Sequence, residues 1–240
     1  MGLRTLVDRG AVDVAIRSVS TLLQRIAVFQ EPDIAQLRRQ GSDASDDQEL
    51  RPRGENALSV LRRWRQTRSM EYRYEFVASG LRAAFPTLFE SVDFHQVGNT
   101  LSARVFRPGN EQPTWLADEA NGLLQMLVLL CEVASTDVGG VVAIDEPENG
   151  LHPYALRVFL RKTRQWATQH HVTALLATHS TVLLDEFSAM PEDVFVMTSI
   201  PDSKHKPSAL NQLCDPDWLA GFKLGDLYEQ GEIGSNDDAA

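Results

Sequence analysis

Cysteine is scarce. The 240 residues hold two, Cys131 and Cys214, without metal-like spacing. That argues against a disulfide framework or a cysteine-built metal site and predicts a reduced, cytoplasmic protein. No apolar run approaches the ~20 residues of a membrane span, and residues 1–10 lack a signal-peptide core, so no membrane partner is expected. Positive charge is short too: 23 basic against 33 acidic residues leave a formal net charge of -10, which argues against a broad basic nucleic-acid surface. What remains is an ordinary soluble composition, 43% hydrophobic and 23% charged, in a chain long enough for one sizeable domain or two small ones.

Taken in order, Val12, Ile16, Val19, Leu22 or Leu23, and Ile26 recur at helical steps and predict an amphipathic helix. Ala27 to Phe29 reads as a short extended piece, and Arg39 to Gly54 as an exposed polar loop. Asn56 can cap a second helix that turns Leu58, Leu61 and Trp64 inward and shows Arg62, Arg63, Arg65 and Arg68 outside. That basic face is either plain solvated surface or a phosphate-contacting patch. A third helix spans Met70 to Phe85. Alternating residues on both sides of Gly98-Asn99 then predict a hairpin, followed by a loop from Pro108 to Pro113. Leu123 to Ala134, apolar nearly all round, predicts a buried helix.

The run Val141 to Ile144 predicts a strand buried on both faces, ending in Asp145-Glu146. Ligands in parallel sheets bind beyond the carboxyl ends of the strands. Two carboxylates there call for a metal ion, a cationic partner or a reacting water; the alternative is a solvated acidic turn. A helix to about Gln169 follows, then a second apolar strand, Val172 to Ala177, ending in Thr178-His179-Ser180, another helix, and a third strand, Val194 to Met197. This alternation predicts an α/β parallel layer. An Asp-Glu tip beside a histidine tip suits hydrolysis of a nucleotide phosphate anhydride.

Here the chain resembles a known family. Val141 to Glu146 looks like a Walker B strand. Glu146-Pro147-Glu148-Asn149-Gly150-Leu151-His152-Pro153 resembles the Glu-Pro-Glu-x-x-Leu-His-Pro segment of AAA/ABC-type ATPases related to SMC and RecF proteins. Ala177-Thr178-His179-Ser180 is similar to their switch-histidine motif, and Asp118 to Leu130 falls where they carry a signature helix. Arg53-Gly54-Glu55-Asn56-Ala57-Leu58 and Leu224-Gly225-Asp226-Leu227 resemble two further segments. The resemblance implies a partial P-loop NTPase fold of the ABC-ATPase kind, a parallel sheet flanked by helices with a helical insertion in the N-terminal third. Residues 1–90 would be that lid-like segment, 91–234 a C-terminal lobe and 235–240 a disordered tail. It implies ATP and Mg²⁺, with Asp145 acting on the metal, Glu146 as general base and His179 as γ-phosphate sensor. Asn121 and Gly122 would begin a helix facing the nucleotide of an opposite subunit, and His152 would shape the turn.

Two departures stand out. No Gly-x-x-x-x-Gly-Lys-Ser/Thr loop occurs in these 240 residues, so the phosphate cradle is expected from elsewhere, through truncation, a separate gene or another subunit. Ala120 stands where relatives carry a serine, so the signature is degenerate. The chain reads as an ATP-hydrolysing lobe that needs a missing partner lobe. The alternative is an inactive pseudo-ATPase serving as an interaction or dimerisation module, with a DNA-repair or phage-defence complex as its setting. DNA binding through Arg62 to Arg68 rests on analogy.

Overall fold

The computed structural model describes residues 26–29, 31–47, 49–197 and 207–234. The expected helix from Val12 and the expected tail at 235–240 lie outside them, and Ile26, placed at the end of that helix, opens a strand instead. The chain divides into two compact units, 1–177 and 178–240.

In the first unit, β1 (Ile26–Phe29), β6 (Val141–Asp145) and β7 (Thr173–Ala177) form a parallel sheet in the order β1-β6-β7. Val28 stands beside Ala143, and Ala143 beside Leu175; Phe29 stands beside Ile144. Mixed α/β structure with a helix-flanked parallel sheet is the architecture of a P-loop NTPase-like fold. Two-sided burial of the central strand, however, does not hold. Val142, Ile144 and Phe29 are buried, whereas Val28 is 63% exposed and Leu175 56%. The side chains alternate across the pleat, and only one face is turned to the core. An unbroken apolar run does not say how many faces are covered.

A second sheet is antiparallel. β2 (Ser42–Asp43), β3 (Ser91–Val97) and β5 (Asn110–Trp115) all pair with β4 (Thr100–Arg107). Val97 faces Thr100 across the two-residue turn, and Gly98 takes φ 58° there, as hairpin turns of this length require. The loop expected over Pro108 to Pro113 is mostly strand: the turn is confined to Pro108 and Gly109, and Pro113 lies within β5. Proline is tolerated there because, among the described residues, β5 has β4 on one side and no partner strand on the other. The polar stretch at 39–54 is likewise more ordered than expected: α1 (Ile34–Gln40) and β2 reach into it, and Ser42 and Leu50 are buried.

Helices α2 (Ala57–Gln66), α3 (Glu71–Ala84) and α5 (Pro153–His170) surround α4 (Asn121–Ser135), whose residues 123–134 are all buried. Trp166 of α5 packs on Phe76 of α3 with ring centroids 4.5 Å apart. Asn56 stands at the N-cap of α2, but its side chain does not cap the helix. It is used instead in the preceding loop, accepting from Arg51 N–H and donating to Asp47 and to the Glu49 carbonyl.

The second unit holds α6 (Thr181–Asp185), β8 (Phe195–Met197), β9 (Pro207–Ala209), α7 (Leu210–Leu213), α8 (Pro216–Leu219) and α9 (Leu224–Glu229). Its core is Leu184, Leu210, Leu219, Leu224, Leu227 and Ile233. The expected third strand of the parallel layer is β8, which pairs antiparallel with β9 instead. Periodicity identified the strand but not the sheet it joins.

Candidate active site at a sheet tip

β6 delivers Asp145 as its last residue, with the Ala177 end of β7 alongside. Glu146 follows in the left-handed region, φ 46°, an uncommon backbone for a residue with a side chain. Its N–H donates to the Ala177 carbonyl at 2.8 Å, which ties the turn to the sheet. The Asn149 side-chain amide donates to Glu146 Oε2 at 2.8 Å, and Asn149 N–H to the Glu146 carbonyl at 3.0 Å. Both carboxylates are exposed. Among the described residues, the Asp145 carboxylate has no hydrogen-bond or ion-pair partner, and no cluster of three or more His, Cys, Asp or Glu could hold a metal ion.

The turn then feeds α5. His152 sits at its N-cap, with Nδ1 accepting from Tyr154 N–H at 3.2 Å, and Pro153 begins the helix. The structural role expected for His152 therefore has a definite form: it caps a helix.

Asn121 and Gly122 open α4 close to this turn. A Cβ on Gly122 would come within 3.1 Å of the Gly150 carbonyl oxygen, so helix and turn meet where a side chain would obstruct them. Ala120 at the N-cap makes no side-chain cap hydrogen bond. The approach to the helix is held from two sides. Arg38 donates to the Ala117 and Glu119 carbonyls, both at 2.6 Å, and to Asn121 Oδ1 at 2.8 Å. Glu119, buried, receives both Arg107, at 2.9 and 3.0 Å, and the Thr114 hydroxyl. The sequence reading missed Arg38, Arg107 and Asn149. Only Asn149 had a local signal, three residues after Glu146 in a Pro-Glu-Asn-Gly turn.

His179 belongs to the second unit. There Nδ1 lies 2.7 Å from the Tyr228 hydroxyl of α9. The Leu224-Gly225-Asp226-Leu227 segment docks on α6: Gly225 N–H donates to Asp185 at 3.0 Å, and a Cβ on Gly225 would come within 2.6 Å of the Thr181 carbonyl. Leu224 and Leu227 enter the core.

The basic face of α2 is largely engaged within the first unit. Arg62 donates to Gln96 at 2.6 Å, Arg63 to the Asp46 carbonyl at 3.2 Å and Arg65 to the Val92 carbonyl at 2.8 Å. No helix among the described residues is long and apolar enough to cross a membrane.

No match was found among curated proteins. A family profile described as "AAA domain, putative AbiEii toxin, Type IV TA system" matches residues 15–185, well over half of the chain. The match takes in the parallel sheet, the Asp145-Glu146 tip and the start of α4, and the chain belongs to this family of AAA-type, nucleotide-binding ATPase domains.

Proposed function

We propose that Asp145 and Glu146 are the hydrolytic half of an ATP site, in a Walker B arrangement, completed by a phosphate loop that these 240 residues do not contain. The observation that carries this reading is the sheet tip itself. The central strand ends in two exposed carboxylates, one without a partner and one fixed in a left-handed backbone by Asn149.

Magnesium at nucleotide phosphates is usually held by one or two carboxylates plus phosphate oxygens and water, not by an all-protein cage. Asp145, without a partner among the described residues, fits that role. Bound there, the ion would neutralise charge on the phosphate oxygens. Glu146 takes the proton of the attacking water, and the Asn149 amide keeps its carboxylate turned to one side. By resemblance, His179 reads the γ-phosphate, its ring oriented by Tyr228. Asn121 and Gly122 present the N–H groups of α4 to a nucleotide held by a second subunit, a homodimer mate or a separate partner.

Turnover is measured on the assembly purified through a tag on this chain. Glu146→Gln should lower ATP hydrolysis by about 10² to 10⁴-fold with the assembly intact. Unchanged hydrolysis in that variant would remove Glu146 from the mechanism. One observation favours a second reading, a non-hydrolysing interaction module: Ala120 offers no hydroxyl at the N-cap of α4. An intact assembly that never turns over ATP would support it.

A further inference from the structure

The outward face of the β3-β4-β5 meander carries a row of side chains that the nucleotide reading does not use. Register places Asp93 opposite Arg104, and Arg104 opposite Trp115. Val92, Ala103 and Val105, one pleat away, are buried, so this row and His95 point outward. The Arg104 guanidinium lies 4.1 Å from the centroid of the Trp115 ring, and the His95 ring meets the same indole edge-on at 5.6 Å. Asp93 lies 3.7 Å from both His95 and Arg65, and Arg65 in turn lies 5.7 Å over the Tyr74 ring. Tyr74, Arg65, Asp93, His95, Trp115 and Arg104 therefore form one continuous strip of charged and aromatic surface.

Two features of the strip call for a ligand. Trp115 leaves 40% of its surface in water. Arg104 has no hydrogen bond or ion pair among the described residues. Two arginines face a single aspartate within the strip, a local cationic excess on a chain of net charge -10. A ligand matched to this strip carries repeated negative charge and flat unsaturated rings at close spacing.

We propose that this face binds single-stranded nucleic acid, with bases stacking on the Trp115–Arg104 pair and the backbone drawn by Arg104 and Arg65. Unpaired bases expose the π faces that an indole on an open sheet can cover, whereas a duplex hides them. The proposal does not depend on the ATP site, and its test requires no nucleotide.

A fluorescently labelled oligothymidylate of about 15 nucleotides is titrated with the full chain at several salt concentrations. Trp115→Ala should weaken binding about 5- to 100-fold, and Trp115→Phe should restore most of it. Arg104→Ala should weaken binding and flatten the slope of log K against log salt by about 0.7, while Arg104→Lys keeps the slope. Arg39→Ala, an exposed arginine that among the described residues bonds only within α1, should change nothing. Three results would overturn the proposal: no binding at low salt, binding insensitive to Trp115→Ala, or equal binding of a duplex. Displacement by polyglutamate as effective as by unlabelled oligonucleotide would also overturn it, in favour of an acidic protein partner.

Discussion

Glu132 lies in the middle of the buried helix α4, 1% exposed, and neither carboxyl oxygen has a hydrogen-bond partner. Burial pushes its carboxyl well above the ordinary range, which favours the protonated form in the folded protein. In the unfolded chain the same group ionises near ~4.3. Between those two values the unfolded state has released a proton that the native state keeps. The stability it contributes is complete below the unfolded value and is lost as pH rises toward the folded one. Glu132→Gln removes the ionisation at nearly constant shape. In thermal melts the advantage of the variant over the parent should be smallest below about pH 4 and grow as pH rises above it. An equal shift at every pH would show that Glu132 does not titrate on unfolding.

At the scale of elements, the start of α4 depends on an ion pair from the neighbouring sheet. The Glu119 side chain is 2% exposed and Arg107, its bidentate partner, 35%. Removing one member of a buried pair leaves a charge without compensation. Arg107→Ala should cost about 3 kcal/mol in denaturant unfolding, at the low end for such pairs because the arginine keeps some water. Adding Glu119→Gln should recover part of the loss, and a cost near zero for Arg107→Ala alone would refute the role given to the pair.

Which elements were legible in the sequence follows from the range of their signals. The Gly98-Asn99 hairpin, the buried helix at 123–134 and the Asp145-Glu146 tip are each specified within a dozen residues, and each is found where expected. β5 was hidden by Pro113, which reads as loop unless the strand is known to lie at an edge. The place of β8 depends on Pro207–Ala209, ten residues away, which no periodicity links to it. At the site, Asp145 and Glu146 were readable because two charges ending an apolar run are costly. Arg38 was not, because its partners at 117–121 lie some eighty residues downstream.

Considered as a whole molecule, the first unit keeps an apolar row on an open sheet face. Val28 and Leu175 flank Ala143 in register, and both are more than half exposed. Such rows drive association when nothing covers them. The chain alone should self-associate with rising concentration in light scattering, and Val28→Thr with Leu175→Thr, which keep strand propensity, should suppress it. A parent chain that stays monodisperse would show the face to be covered. The same parallel sheet also bears on how the chain folds. The hairpin joins Val97 to Thr100 across two residues, but Ile26 must find Val141 from more than a hundred residues away. Closing a loop of that length costs about 4 kcal/mol in chain entropy before any strand contact returns it. The remote pairing of β1 with β6, the strand that carries the carboxylates, is thus expected to form later than the hairpin.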